Sequence, residues 1–355
     1  MTVVEAYIRS LAVPLSVPYT IAYETITDVV NHFLVLRTDA GITGIGCAAP
    51  AEEVTGESVE ESLGALRDFC QQVSGRSLED IPHVAARYPS ARTAVDLALH
   101  DIRARAASTN IAGMFGSSGA IKAERITSVT IGIMPVQETI ERTRQCLEEG
   151  FRFLKVKGGH DVRVDLDRLS ALRAEFGDEV LLALDANQGY SLSDVAHLDA
   201  AADTLHLQYL EQPTPKSDLE LLSQAGRTTS IPVMADESVQ TTDDVRAIGE
   251  RGSVSLINIK LQKMGGLASA HAIDSAASEY GVRTMLGCMD ESALSIAAAI
   301  HFGATHPNVA FYDLDGHFDL TDDPFRDLVT LRHGCLKAIK GNGLGWTTIP
   351  ESICS

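Results

Sequence analysis

From about residue 125 to residue 315 the chain alternates short apolar runs with amphipathic stretches. The apolar runs fall at 126–133, 153–157, 180–185, 206–211, 231–236, 254–260, 282–287 and 308–313. Between them lie helical patterns such as 162–176, 241–250 and 265–279. Six polar residues close runs of this series: Lys157, Asp185, Glu211, Asp236, Lys260 and Asp313. The first five stand 28, 26, 25 and 24 residues apart, and the final step of 53 is two such intervals. One strand, one helix and two loops fill an interval of that size, and strands alternating with helices predict parallel pairing. Runs such as VLLALD at 180–185 and SLINIK at 255–260 are nearly continuous in apolar residues, which suits a sheet buried on both faces. The pattern therefore predicts an α/β fold, a TIM-like (β/α)7β barrel of eight strands with seven helices between them.

The first 115 residues follow another pattern. Residues 3–14 and 32–48 read as strands, the latter turning at Asp39-Ala40-Gly41, with glycine where a hairpin needs positive φ. Helical patterns follow at 57–73 and 90–107. The last 40 residues carry the loop-like GNGLGW at 341–346. The expected organisation is an α+β capping domain over 1–118, the barrel over 119–318 and a C-terminal segment, 319–355, that returns to the capping domain.

Composition narrows the partners. The 355 residues are 45% apolar and 22% charged, the balance of a globular protein, and the formal net charge is −19. Such a charge argues against nucleic acid and anionic membrane as partners, since both select a basic footprint. No apolar run approaches the ~18 residues of a membrane span. The start, MTVVEAYIRS, lacks a basic segment followed by an apolar one, so a cytoplasmic location is expected. Cys47, Cys70, Cys146, Cys288, Cys335 and Cys354 form no CxxC or zinc spacing and are expected as free thiols.

In a parallel barrel the C-terminal strand ends meet at one face, so side chains placed there converge. Asp185, Glu211 and Asp236 end three successive strands. Singly, each reads as well as a helix cap or loop acid. Together they form an all-oxygen set suited to a hard cation such as Mg²⁺. Lys155 and Lys157 are two residues apart, so both point into the barrel if Val156 faces the helices. Two neighbouring ammonium groups are expected to lower each other's pKa. Lys260 ends a strand four places further around a ring of eight, opposite Lys157, where one base on each side of a bound carbon would permit a 1,1-proton transfer. An ion pair with Asp236 is the simpler alternative for Lys260. Asp313 and Asp315 of DLDG read either as a pair binding a substrate ammonium group or as a turn.

LKVKGG (154–159), LDANQGY (184–190), YLEQP (209–213), MADES (234–238) and INIKLQKMGG (257–266) together resemble the enolase superfamily, within it the muconate-lactonizing subgroup. The resemblance spans nearly the whole chain. It implies one Mg²⁺ on Asp185, Glu211 and Asp236, with Lys157 and Lys260 as acid/base catalysts. It also implies Lys155 as a neutraliser of substrate carboxylate that depresses the pKa of Lys157, and Asn187 and Glu237 as supporting groups in the metal motifs. GCMDES (287–292) and DLDGH (313–317) are similar to dipeptide epimerases. That family implies a dipeptide substrate whose α-ammonium meets Asp313 and Asp315, epimerised at the C-terminal residue. Thr130, Cys288, Met289 and Asp290 are further expected substrate contacts, and a homo-oligomer is a family expectation.

Specificity for Ala-Glu would call for a basic residue near the second side chain, commonly from the first capping loop. Residues 16–30 contain no Lys or Arg but do contain Glu24 and Asp28, and residues 48–58 add Glu52, Glu53 and Glu57. An apolar or cationic second residue is expected, unless these acids simply face solvent. The alternatives are an L-Ala-D/L-Glu epimerase, an N-acyl amino acid racemase, an o-succinylbenzoate synthase or a cycloisomerase of the same superfamily. From other classes come a Schiff-base aldolase and a non-catalytic peptide-binding barrel.

Overall fold

A computed structural model describes residues 1–20, 25–116 and 126–354. Glu24 lies outside these residues. Three antiparallel strands open the chain: β1 (Val3–Thr20), β2 (Thr25–Thr38) and β3 (Thr43–Ala48). The β2–β3 turn has Gly41 at φ 72° and Thr38 N donating to Ile42 O at 2.9 Å. The strands reach further than the alternation indicates, β1 to Thr20 and β2 from Thr25, because the two long strands pair with each other far beyond the packed core. Helices Val59–Val73 and Pro89–Ala106 cover the sheet. The first starts at a capping box in which Ser58 and Glu61 bond each other's backbone amides. The second lies almost on the backbone of β3. A Cβ at Gly46 would stand 1.8 Å from Ala94 O, and one at Gly44 2.2 Å from Ala98 O, so both positions require glycine.

The barrel consists of β4 (Ser128–Ile131), β5 (Phe153–Lys157), β6 (Leu181–Asp185), β7 (Leu207–Glu211), β8 (Val233–Ala235), β9 (Leu256–Lys260), β10 (Arg283–Gly287) and β11 (Val309–Asp313), each beside its neighbours in sequence. All seven pairings are parallel. Strand parity divides the side chains as expected. Phe153, Ala183, Tyr209, Met234, Leu256 and Met285 pack together inside the barrel, while Leu154, Val156, Leu182 and Leu184 face the helices. At ~1.5–3 kcal/mol for each large apolar side chain, that plug closes the barrel below the polar strand ends.

The seam between β11 and β4 is closed differently. One parallel bridge joins Thr127 to Tyr312, and the remaining contacts come from side chains. Ser128 Oγ donates to Asp313 Oδ1 (2.5 Å), the Thr130 amide to Asp315 Oδ2 (2.7 Å) and the Leu314 amide to Thr127 Oγ1 (2.9 Å). The DLDG segment thus zips the barrel shut.

After β11 the chain forms a hairpin of β12 (Val329–Arg332) and β13 (Cys335–Ala338) and then crosses to the N-terminal module. There, fully buried Asp101 accepts from the amides of Ile45 (3.1 Å) and Leu344 (2.9 Å), from Trp346 Nε1 (2.8 Å) and from Arg105 Nε (2.9 Å). Arg105 also stacks on the Trp346 ring at 3.6 Å. All six cysteines are free thiols. Among the described residues no helix is long and apolar enough to cross a membrane.

Asp101→Ala removes the shared acceptor and should cost about 3–5 kcal/mol in urea denaturation, with a red shift of native-state fluorescence from the single tryptophan, Trp346. An unchanged midpoint and spectrum would contradict the clamp. His301 is fully buried, its ring nitrogens lack hydrogen-bond partners, and burial lowers its pKa to about 4. The unfolded chain therefore binds the extra proton between its ordinary 6.5 and about 4. Stability present above pH ~6.5 should be lost as pH falls towards 4, and His301→Leu should flatten that loss in pH-dependent melting curves.

Candidate active site

A cavity of about 1140 Å³ lies between the C-terminal face of the barrel and the capping loops. Its floor carries Lys155, Lys157, Asp236, Lys260, Asp313 and Asp315, and its walls include Thr130, Asn187, Glu237, Cys288, Met289 and Asp290. Asp28, Glu52 and Glu53 line the capping side. Glu57 does not join them. Its buried carboxylate accepts the Ser90 (2.6 Å) and Ala91 (3.2 Å) amides at the start of helix Pro89–Ala106, so the expectation of a cavity-facing acid there is corrected to a helix cap.

The three strand-end carboxylates share one arrangement, each with one oxygen held by a donor of the scaffold. Asp185 Oδ1 accepts the Asn187 amide at 2.9 Å, Glu211 Oε1 accepts Asn258 Nδ2 at 2.7 Å, and Asp236 Oδ1 accepts Lys263 Nζ at 2.6 Å. The second oxygen of each faces a lysine. Asp185 Oδ2 meets Lys157 Nζ at 2.7 Å and Asp236 Oδ2 meets Lys260 Nζ at 2.8 Å. Glu211 Oε2 has no hydrogen-bond partner and lies 3.7 Å from Lys155 Nζ. Lys157 and Lys260 belong to β5 and β9, four strands apart in a ring of eight, so they occupy opposite sides of the barrel mouth.

Among the described residues no group of three or more His, Cys, Asp or Glu stands in metal-ligating geometry. The lysines explain this, because each occupies or flanks the oxygen that a cation would take. The donor chemistry nevertheless fits a hard divalent ion: three buried carboxylates, one with an oxygen lacking any hydrogen bond. Burial lifts the Glu211 carboxyl to about 8, with Asp185, Asp236 and Asp313 adding to the effect against Lys155. Asp236 is buried too, but Lys260 and Lys263 hold it well below the usual carboxylate range.

The expected mutual lowering of the lysine pair is corrected at Lys155. Burial does push its pKa down, but Asp313, Glu211 and Asp185 outweigh burial and lift it well above the ordinary lysine value. Lys155 bonds Asp313 Oδ2 directly, making it a fixed counter-charge within a carboxylate ring. Asp313 is accordingly buried against Lys155 and Ser128, while half-buried Asp315 lines the cavity. The Cys288 thiol donates to Asp313 O at 3.3 Å, bracing the same segment. Asn187 Nδ2 and Gln188 Nε2 reach Glu237 Oε1 at 3.4 and 3.3 Å, joining two motifs.

Sequence reasoning missed Asn258, Lys263 and Ser128. The parity that turned Lys155 and Lys157 inward applies equally to Asn258 and Lys260, so Asn258 was within reach. Lys263 follows the strand on a short helix, Leu261–Met264, where a lysine ordinarily faces solvent.

Metal-free stability should separate these carboxylates. Asp236→Ala strands Lys263, whose side chain is 0% exposed, and should cost about 3–5 kcal/mol in urea with EDTA. Asp185→Ala strands the partly exposed Lys157 and should cost clearly less. Equal losses would contradict the charge pairing described here.

Comparison with known proteins matches this architecture. Residues 3–116 match the mandelate racemase / muconate lactonizing enzyme N-terminal domain, and residues 138–352 match the enolase C-terminal domain-like model. A Methylococcus capsulatus protein named L-Lys-D/L-Arg epimerase is 35% identical over 97% of this chain and 99% of its own. The crystal structure of a dipeptide epimerase from that organism, complexed with Mg and L-Arg-D-Lys, superposes with a TM-score of 0.89 at 35% identity, covering 97% of this chain and 99% of that one. A substrate-liganded L-Ala-D/L-Glu epimerase from Bacillus subtilis gives 0.91 at 31% identity, with 97% and 98% coverage. The chain belongs to the mandelate racemase / muconate lactonizing enzyme family of the enolase superfamily.

Proposed function

We propose that this family member is a Mg²⁺-dependent dipeptide epimerase, an isomerase that exchanges the α-proton of the C-terminal residue and prefers a cationic side chain there. The observation that carries the preference is the charge of the cavity. Among the described residues ten acidic side chains line it against four basic ones. Several of the acids, including Asp28, Glu52, Glu53, Asp290 and Asp319, are neither metal-ligand candidates nor part of the DLDG pair. Such a field attracts a dipeptide bearing Lys or Arg and repels Ala-Glu, whose extra carboxylate would meet like charge. The same chemistry appears in the substrate name of the M. capsulatus relative, L-Lys-D/L-Arg epimerase.

In this reading Asp185, Glu211 and Asp236 hold Mg²⁺, which when bound supplies the positive charge that makes an α-proton beside a carboxylate removable. Lys157 and Lys260, now paired with Asp185 and Asp236, would be free at opposite sides of the barrel mouth once those carboxylates held the ion. One lysine takes the α-proton from one face, and the other returns a proton to the opposite face. Lys155 stays charged beside the enediolate, where the electron pair accumulates. Asp315, with Asp313 behind it, receives the α-ammonium group of the N-terminal residue. Thr130, Cys288, Met289 and Asp290 shape the surrounding wall. Residues 1–118 then serve as the capping domain, 119–318 as the barrel and 319–355 as the tie between them.

Mass spectrometry of α-deuterium uptake across a dipeptide library tests this. Dipeptides ending in Lys or Arg should give the highest kcat/KM, falling as ionic strength rises. Preference for Ala-Glu, or salt independence, would overturn the cationic assignment.

A further inference from the structure

Asn258 and Lys263 have no place in the proton transfer itself, yet each holds one oxygen of a strand-end carboxylate. Lys263 is buried and its ammonium is fully engaged, with Asp236 Oδ1 and Asp236 O both at 2.6 Å and Asn258 O at 3.0 Å. Three fixed acceptors match the three protons of the ammonium group, so it has no donor left for substrate. Lys260 pairs with the other oxygen of the same carboxylate. Of the two lysines on Asp236, then, one is anchored and the other faces the cavity.

Asn258 is fully buried and donates through Nδ2 to Glu211 Oε1 at 2.7 Å, while its own Oδ1 has no partner. An unpaired buried carbonyl oxygen is destabilising, so asparagine is a poor choice for the fold alone. Gly287 of the neighbouring strand leaves room for it. A Cβ there would come within 2.4 Å of Asn258 Oδ1. Two positions on adjacent strands are thus given over to presenting one N–H group to Glu211.

Resting on the metal chemistry proposed above, we infer that Asn258 and Lys263 are positioning residues for the cation. Each engages one oxygen of its carboxylate and leaves the other either to the cavity-lining Lys260 or without a hydrogen-bond partner. The third strand-end acid is restrained by Asn187, whose backbone amide holds Asp185 Oδ1 at 2.9 Å and whose Nδ2 makes only a long contact to Oδ2 at 3.4 Å. With one oxygen of each carboxylate engaged, Asp185, Glu211 and Asp236 offer one oxygen apiece, which suits an ion that demands near-octahedral geometry and keeps positions for water and substrate. The fixed charge of Lys263 also offsets that of Asp236, so that Lys260 can leave it without stranding a buried carboxylate.

The test is Mg²⁺ titration calorimetry on the full chain without substrate, paired with urea denaturation in EDTA. Asn258→Leu removes the donor to Glu211 and the unpaired oxygen together. The variant leaves Glu211 Oε1 without its donor but also removes the unpaired Asn258 Oδ1, so the protein should still fold with a modest shift of the metal-free urea midpoint, while Mg²⁺ affinity falls by about 10–100-fold. Lys263→Met should weaken Mg²⁺ by a similar factor. If that variant does not fold, Asn258→Leu decides alone. A folded Asn258→Leu protein with wild-type Mg²⁺ affinity overturns the positioning role. If wild type itself binds no Mg²⁺, the metal chemistry proposed above fails first, and the positioning role with it.

Discussion

The mouth of this barrel concentrates buried charge, and the surrounding structure is arranged to neutralise it. Asp185, Glu211, Asp236 and Asp313 are all at most 2% exposed, and Lys155, Lys260 and Lys263 are buried among them. An ionised group left unpaired at such depth costs several kcal/mol. The carboxylates and ammonium groups therefore interlock, with Lys155 touching three acids and Asp236 touching two lysines. A divalent cation is the natural alternative partner, because it can replace two ammonium groups at once.

The interlock also shapes the fold. Where β11 meets β4 the backbone ladder is reduced to one bridge, and Ser128, Thr130, Asp313 and Asp315 complete the closure. The segment that closes the barrel is the one proposed to receive the substrate's ammonium group. Below it the apolar plug around Tyr209 and Met234 keeps water from beneath the charges. Above it the N-terminal module brings Asp28 of β2 and Glu52 and Glu53 of the short helix Glu52–Thr55 to the cavity wall. Charge is balanced at the floor and in acidic excess at the wall, and the proposed choice of a cationic substrate rests on the wall alone.

Much of this was legible in the sequence because the barrel repeats. A period of 24 to 28 residues ending in polar groups places Lys157, Asp185, Glu211, Asp236 and Lys260 at one face before any coordinate is known. Parity along β5 turns Lys155 and Lys157 inward. The hidden parts were partnerships set by distance in space. Lys155 neighbours Lys157 in sequence, but its charge is governed by Asp313, 158 residues away. Glu57 reads as one more acid of a capping loop, yet it caps a helix whose start is remote in sequence. Lys263 lies beyond the last strand residue, where periodicity gives no direction.

The central claim is that Lys157 and Lys260 remove and return the α-proton of one carbon from opposite faces. Its most direct test is proton NMR in D₂O of Lys157→Ala and Lys260→Ala, each incubated with Mg²⁺ and the L,L or L,D form of a cationic dipeptide. The account predicts that neither variant interconverts the epimers, and that each exchanges the α-proton of one epimer only, a different one for each variant. Loss of exchange with the same epimer in both, or continued interconversion in either, would contradict a two-sided transfer.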